Sequence, residues 1–183
     1  SQSSTGTPTE SVTETEKVPD IIIVQPDDTT DNRYDLVIND SSLVQVHINV
    51  SNFTGIEYND NGGAIHLVNT GIECENVKFE KCTTTSGGGG AIYIDNIQEQ
   101  KNSIVLVNLN FTECKANYGG AVYINSNSKD DKVQIMYCTF IGNIAENKED
   151  GSNNKKFGGS AIYLSARKGR LKSNIFIDNI GDV

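Results

Sequence analysis

Residues 87–96 read GGGGAIYIDN. Four glycines in a row suit a flexible linker. Ala91-Ile92-Tyr93-Ile94, directly behind them, has the β-branched and aromatic make-up of a strand. The conflict eases because the word recurs. Gly62-Gly63-Ala64-Ile65 runs into His66-Leu67, Gly119-Gly120-Ala121-Val122 into Tyr123-Ile124, and Gly159-Ser160-Ala161-Ile162 into Tyr163-Leu164. A second word alternates with it: Phe79-Glu80-Lys81-Cys82, Phe111-Thr112-Glu113-Cys114, Phe140-Ile141-Gly142-Asn143 and Phe176-Ile177-Asp178-Asn179, with Phe53-Thr54-Gly55-Ile56 as a degenerate first copy. The glycine words begin at 62, 89, 119 and 159, spacings of 27, 30 and 40 residues. Repetition on that scale marks a solenoid, a propeller or an array.

Apolar residues inside the repeat alternate, as in Val44, Val46 and Ile48 or Ile104 and Leu106. Period two means half-buried strands. Aligned on Phe, the position five residues earlier holds Ile48, Cys74, Leu106, Ile135 and Leu171. The position seven earlier holds Val46, Ile72, Ile104, Val133 and Gly169. Two more apolar columns follow the glycines: Ile65, Ile92, Val122, Ile162 and Leu67, Ile94, Ile124, Leu164. Identical columns stacked at strand spacing predict an all-β chain, a parallel β-helix. Glycine supplies the sharp turns between sheets. Asn143 and Asn179 are expected to serve the same left-handed turns or to bond stacked backbone. The competing antiparallel sandwich requires tight Asn-Gly or Asp-Gly hairpins. The two candidates, Asn61-Gly62 and Asp150-Gly151, lie in the repeated glycine word and in the polar stretch 146–157, which reads as a loop between coils.

The chain has 183 residues, 36% of them apolar, with no Trp and a net charge of −9. Nine acidic and two basic residues fall within 1–40. Neither half is a basic patch, which argues against nucleic acid and anionic membrane as partners, and no apolar run reaches the roughly 20 residues of a membrane span. Residues 1–20, rich in Ser, Thr, Glu and Pro, read as a flexible tail, either a stalk open to O-glycosylation or a frayed terminus. Residues 21–183 read as the β-helix domain. Without an initiator Met or a signal peptide, the chain reads as a processed or excised segment.

The paired words GGA(I/L/V) and FxxN resemble the polymorphic outer-membrane protein (Pmp) repeats of bacterial autotransporter adhesins and related protist surface proteins. The match runs from residue 53 to 179 and rests on Gly62 to Ile65, Gly89 to Ile92, Gly119 to Val122, Phe140 to Asn143 and Phe176 to Asn179. Cys82 and Cys114 depart from it where Asn is expected, Ser160 replaces a glycine, and no autotransporter barrel is present. The resemblance implies a right-handed parallel β-helix of the single-stranded, pectate-lyase-like kind on a cell surface, with adhesion as its role.

Many β-helices cleave polysaccharides, which needs facing carboxylates, or a basic residue beside carboxylates that hold Ca²⁺. Asp27-Asp28, Asp130-Asp131 and Glu149-Asp150 read as tail or loop charges. Arg167 and Arg170 flank an apparent turn, and His47 and His66 sit in strands without metal-ligand spacing. No catalytic residue, no metal and no cofactor is therefore expected. The cysteines lack CxxC spacing. Cys74 falls in an interior column. Cys82 and Cys114 occupy equivalent places in consecutive repeats, either as a disulfide or as stacked thiols. Asn39, Asn49, Asn52 and Asn110 head N-glycosylation sequons.

If the aliphatic columns point inward, strand alternation sends His66, Tyr93, Tyr123 and Tyr163 outward as one ladder. Such a ladder either braces the stack or offers ring faces to a glycan or protein. The sequence thus points to a non-catalytic, extracellular or cell-surface solenoid serving adhesion or assembly. Its expected partners are a host-cell or neighbouring surface protein, a glycan, or further copies through the solenoid ends. The alternatives are a carbohydrate-binding module and a polysaccharide lyase or hydrolase.

Overall fold

The structure, a computed structural model, describes residues 17–24, 33–49, 52–146 and 159–181. All regular elements among them are β-strands, and no described helix could cross a membrane. Strand β1 (Asp20–Val24) comes first, and five coils of four strands follow. The first coil holds β2 (Tyr34–Val37), β3 (Val44–Asn49), β4 (Asn52–Thr54) and β5 (Glu57–Tyr58). The second holds β6 (Ile65–Val68), β7 (Gly71–Glu75), β8 (Lys78–Glu80) and β9 (Thr83–Thr84). The third holds β10 (Ile92–Asn96), β11 (Ser103–Val107), β12 (Asn110–Thr112) and β13 (Lys115–Ala116). The fourth holds β14 (Val122–Ser126), β15 (Lys132–Met136), β16 (Thr139–Ile141) and β17 (Ile144–Ala145). The fifth holds β18 (Ile162–Ala166), β19 (Gly169–Lys172), β20 (Ile175–Ile177) and β21 (Ile180–Gly181).

Equivalent strands stack into four parallel sheets. Sheet A runs β1-β3-β7-β11-β15-β19, sheet B β2-β6-β10-β14-β18, sheet C β4-β8-β12-β16-β20 and sheet D β5-β9-β13-β17-β21. This is the right-handed parallel β-helix; every named strand pairing is parallel, unlike those of a hairpin-built sandwich. The register of sheet A reproduces both columns read from the sequence: Ile48↔Cys74, Cys74↔Leu106, Leu106↔Ile135 and Ile135↔Leu171 in one, Val46↔Ile72 through Val133↔Gly169 in the other. The interior is a single core in which Ile65, Ile92, Ile104, Leu106 and Val122 are fully buried. Phe53, Phe79, Phe111, Phe140 and Phe176 stack through it in sheet C, with ring centroids 4.8–5.1 Å apart and planes within 8°.

The glycine run that opened the problem has a separate reason at each position. A Cβ on Gly87 would collide with Asn61 of the coil below, and one on Gly88 with the Tyr118 ring. Gly89 has φ +65°, in the left-handed region. A Cβ on Gly90 would collide with the Gly120 carbonyl of the next coil. Coils here approach too closely for any side chain. Ser160 takes the place equivalent to Gly120 in the fifth coil, where no described coil lies above it.

The asparagines behave differently from one half of the expectation. The left-handed residues at that corner are Gly55, Lys81, Glu113, Gly142 and Asp178, each one position before the column that holds Asn143 and Asn179. The asparagines instead clamp the coil beneath. Asn143 Oδ1 accepts from Cys114 N at 2.9 Å while its Nδ2 donates to Phe111 O at 3.1 Å. Asn179 repeats this on Asn143 N and Phe140 O at 3.0 and 2.9 Å. Asn174 does the same at the corner between sheets A and C, on Cys138 N and Ile135 O.

Two other expectations shift. Asp20 already belongs to β1, while residues 1–16 of the expected tail lie outside the described residues, as do Asp27-Asp28, Glu149-Asp150 and all of 146–157 except Glu146 and its ion pair with Lys115. Arg170 lies in strand β19 rather than in a turn, because its alternation with Leu171 continues the sheet A columns.

Candidate functional site

His66, Tyr93, Tyr123 and Tyr163 come together in register on the outer face of sheet B. Their inward neighbours Ile65, Leu67, Ile92 and Ile94 are inaccessible to solvent. The rings stack: centroids lie 5.4 Å apart for His66–Tyr93 and 4.6 Å apart for both Tyr93–Tyr123 and Tyr123–Tyr163, the tyrosine planes within 6°. Tyr93 and Tyr123 therefore turn both flat faces to other rings and only edge and hydroxyl to the surroundings, while Tyr163 has a ring on one face. The ladder is also more covered than alternation alone implies. Tyr93 is 8% exposed. Tyr118, from the turn that leads into sheet B, packs edge-on against Tyr123 at 5.2 Å, and its hydroxyl lies 3.4 Å from Asn61 Oδ1.

Asp35, in the first coil, continues the column downward. Its Oδ1 lies 2.9 Å from His66 Nδ1 and its Oδ2 2.7 Å from Arg33. The Arg33 guanidinium also donates to Asn61 O at 2.5 Å and sits 4.1 Å from the centre of the Tyr58 ring. Burial works against the Asp35 carboxylate, but the hydrogen bonds and charges of His66 and Arg33 outweigh it and hold its pKa below the ordinary value. In the next outward column Asp95 accepts from Asn125 Nδ2 at 2.9 Å and lies 3.4 Å from the Tyr93 hydroxyl. Burial first, then the Asp95 carboxylate, pushes the Tyr93 pKa far up; burial and the Tyr163 neighbour do the same to Tyr123. These hydroxyls stay protonated and can only donate or accept hydrogen bonds.

Asp35 and Arg33 escape a reading of the sequence because the first coil has no glycine word to align on. The signal was there in Tyr34-Asp35-Leu36, which has the same apolar–polar–apolar form as Ile65-His66-Leu67.

Cys82 and Cys114 are neighbours in successive coils, as expected, but all four cysteines are buried free thiols. Each sulfur lies against a backbone carbonyl at its own corner. Cys82 Sγ donates to Phe53 O at 3.5 Å and Cys114 Sγ to Phe79 O at 3.6 Å, while Cys138 Sγ donates to Leu106 O at 3.6 Å. These are the same carbonyl positions that Asn143, Asn179 and Asn174 reach in later coils. The three cysteines thus make half of the asparagine clamp with a weak S–H donor. Burial raises the pKa of Cys74, Cys114 and Cys138, which leaves them poor nucleophiles.

Of the sequon asparagines, Asn39, Asn49 and Asn110 are exposed and Asn52 is half-buried. His47 lies 3.7 Å from Glu73 across sheet A, remote in the fold from His66 on sheet B. Among the described residues no three His, Cys, Asp or Glu side chains gather as a metal site. The chain matches no known protein family, no curated protein and no solved structure.

Proposed function

We propose that this chain is a non-catalytic β-solenoid of an extracellular or cell-surface protein, of the Pmp-repeat type, that serves as a rigid structural or adhesive unit. One observation carries this reading: the repeated ring residues spend their faces on one another, at 4.6 Å between tyrosines. The repeat words thereby hold coil to coil, and the solenoid presents its outer columns as a stiff surface. A glycan-stacking role for the ladder needs free ring faces. The carbohydrate reading keeps one foothold, the upper face of Tyr163, on which no described ring stacks.

The test is the double variant Tyr93→Ser, Tyr123→Ser. Under the structural reading it melts at lower temperature, and the folded fraction binds cells or glycan arrays as the parent does. Lost glycan binding in a variant that is still folded would move the function to the ladder. For the surface assignment, expression in a secreting eukaryotic host should place glycans at Asn39 or Asn110, read by mass spectrometry.

A further inference from the structure

The outer face of sheet A changes sign along the stack. Glu73 and Glu75 face out from the second coil, and the register puts Val105 and Val107 in their columns in the third and Arg170 and Lys172 in the fifth. Val133 N donates to Lys168 O at 3.1 Å, which carries the same pairing one residue back and sets Lys168 beside Lys132 of the fourth coil. Lys132, Lys168, Arg170 and Lys172 thus share one face, and all four are exposed. They point away from the solenoid axis, so a further coil stacked on β19 would leave them in solvent.

Composition conceals this face, because the chain is net −9 and the fold brings Lys132 and Lys168 together from distant stretches. Like charges directly opposite one another on neighbouring strands repel, yet among the described residues none of the four cations has an acidic partner. Asp131, next to Lys132 in the chain, is turned inward onto Ser126 Oγ and Asn102 N. Asp130 stays in the turn before β15, its N–H donating to Ser128 Oγ at 3.2 Å. The face is therefore short of anions.

Two further features give the missing anion a shape. An open pocket of about 200 Å³ lies between the two strands, lined by Lys132, Val133, Gln134, Lys168, Gly169 and Arg170. Its four outward side chains are three cations and an amide, all hydrogen-bond donors, and its volume fits one anionic group rather than a whole drug-sized ligand. Lys168, Arg170 and Lys172 follow at every second residue, about 6.6 Å per step, so the charge forms a row. The row ends at Tyr137, which is 49% exposed and has Lys172 Nζ 5.4 Å from its ring centre. Tyr137 has φ +57°, at the corner where Asn76 and Asn108 have +56° and +54°. Asn tolerates that conformation; a bulky ring there is strained, and such strain gathers at functional sites.

We infer that this face binds a linear anionic glycan, its sulfate or carboxylate groups held by Lys132, Lys168, Arg170 and Lys172 and one sugar ring laid on Tyr137. Duplex nucleic acid or an anionic membrane is broad enough to meet Glu73 and Glu75 and the net −9 of the chain as well; a thin strand along β19 meets only the cations. The site lies on a different sheet from the Tyr93 ladder. It names the ligand class for the adhesive arm of the function proposed above and rests on that reading.

Surface plasmon resonance on immobilised heparin, hyaluronan and dextran tests it. The expected result is binding to heparin that weakens steeply as salt rises, and none to dextran. Heparin alone assigns sulfate as the bound group, and heparin and hyaluronan alike assign carboxylate as sufficient; either supports the site. Lys168→Gln and Arg170→Gln should each weaken binding about fivefold, whereas Lys81→Gln, at the corner between sheets C and D, should leave it unchanged. Tyr137→Asn, which restores the residue of the earlier coils, should weaken binding about threefold while the melting temperature holds or rises, a combination that a purely structural Tyr137 would not give. No binding to heparin or hyaluronan at low salt overturns the inference. So does binding that Lys81→Gln reduces as much as Arg170→Gln, or tighter binding to single-stranded DNA or to phosphatidylserine vesicles. The Tyr93, Tyr123 variant should bind heparin as the parent does, which separates failure here from failure of the ladder reading.

Discussion

The first and fifth coils carry the same interior residue types in very different surroundings. Val46 and Ile48 of the first coil are at most 1% exposed, whereas Leu171 of the fifth is 50% exposed. Ile48 and Leu171 are rungs of one aliphatic column of sheet A, so residue type does not explain the contrast. What differs is the neighbour. Strand β1 lies beneath the first coil in sheet A, with Val24 paired to Ile48, and no described strand lies above the fifth. A coil cannot bury its own apolar face; its burial comes from the rungs on either side. The outer columns change too. Asn52, Thr54 and Glu57 on sheets C and D of the first coil become Ile175, Ile177 and Ile180 in the fifth, all three exposed.

The largest effect should come from removing one rung. Phe111→Ala, in the middle of the ladder, leaves a cavity bounded by Phe79 and Phe140 and should cost about 3–5 kcal/mol. Phe176→Ala removes a ring that is already half in water and should cost about 1–2 kcal/mol. Urea midpoints of the two variants measure the contrast directly; equal losses would break it.

The asparagine clamps give a smaller version. Asn143→Ala leaves the buried Cys114 N–H without its 2.9 Å acceptor, at a cost of about 1–3 kcal/mol. Asn179→Ala, nearer solvent, should cost about 0.5–1 kcal/mol because water can replace the bonds. Thermal melts of both variants decide whether the clamp or only the ladder registers the coils.

The smallest effect concerns charge in the fourth coil. Asp131 is 1% exposed, and burial raises its pKa above the ordinary carboxyl value, although Ser126 Oγ at 2.6 Å and Asn102 N at 2.8 Å pull the other way. A raised folded pKa means that the folded state holds the proton more tightly than the unfolded. The associated stability is full below the unfolded pKa and is lost as pH rises through the folded pKa. Asp131→Asn removes that loss. Its melting temperature should match the parent's in acid and exceed it slightly at neutral pH. A variant less stable at neutral pH than in acid, relative to the parent, reverses the sign and the assignment.

The interior was legible in the sequence because two repeated words fix the register: Phe places the columns of sheet A by alternation, and the glycine word places those of sheet B. The outward ladder followed from the glycine word. Its concealment did not, because Tyr118 reaches it from a turn, where period two carries no information. Asp35 was hidden by the missing first glycine word. Cys82 and Cys114 read equally as a bridge or as stacked thiols, because their spacing says only that they are neighbours. That they stand in for asparagine became readable only when Asn143 and Asn179 were seen to hold the coil below through a donor to the carbonyl three residues before each corner.

The central claim is that each coil is stabilised by its neighbours, so that protection must fall toward the uncovered end. Native-state hydrogen exchange on dilute protein tests it amide by amide. Amides of β7 and β11, each flanked by a strand on both sides, should exchange only through global unfolding. Those of β19, β20 and β21 should exchange by local opening at much lower free energy. Protection in β19–β21 equal to or above that of β7 and β11, at a concentration where the protein is monomeric, would contradict the account.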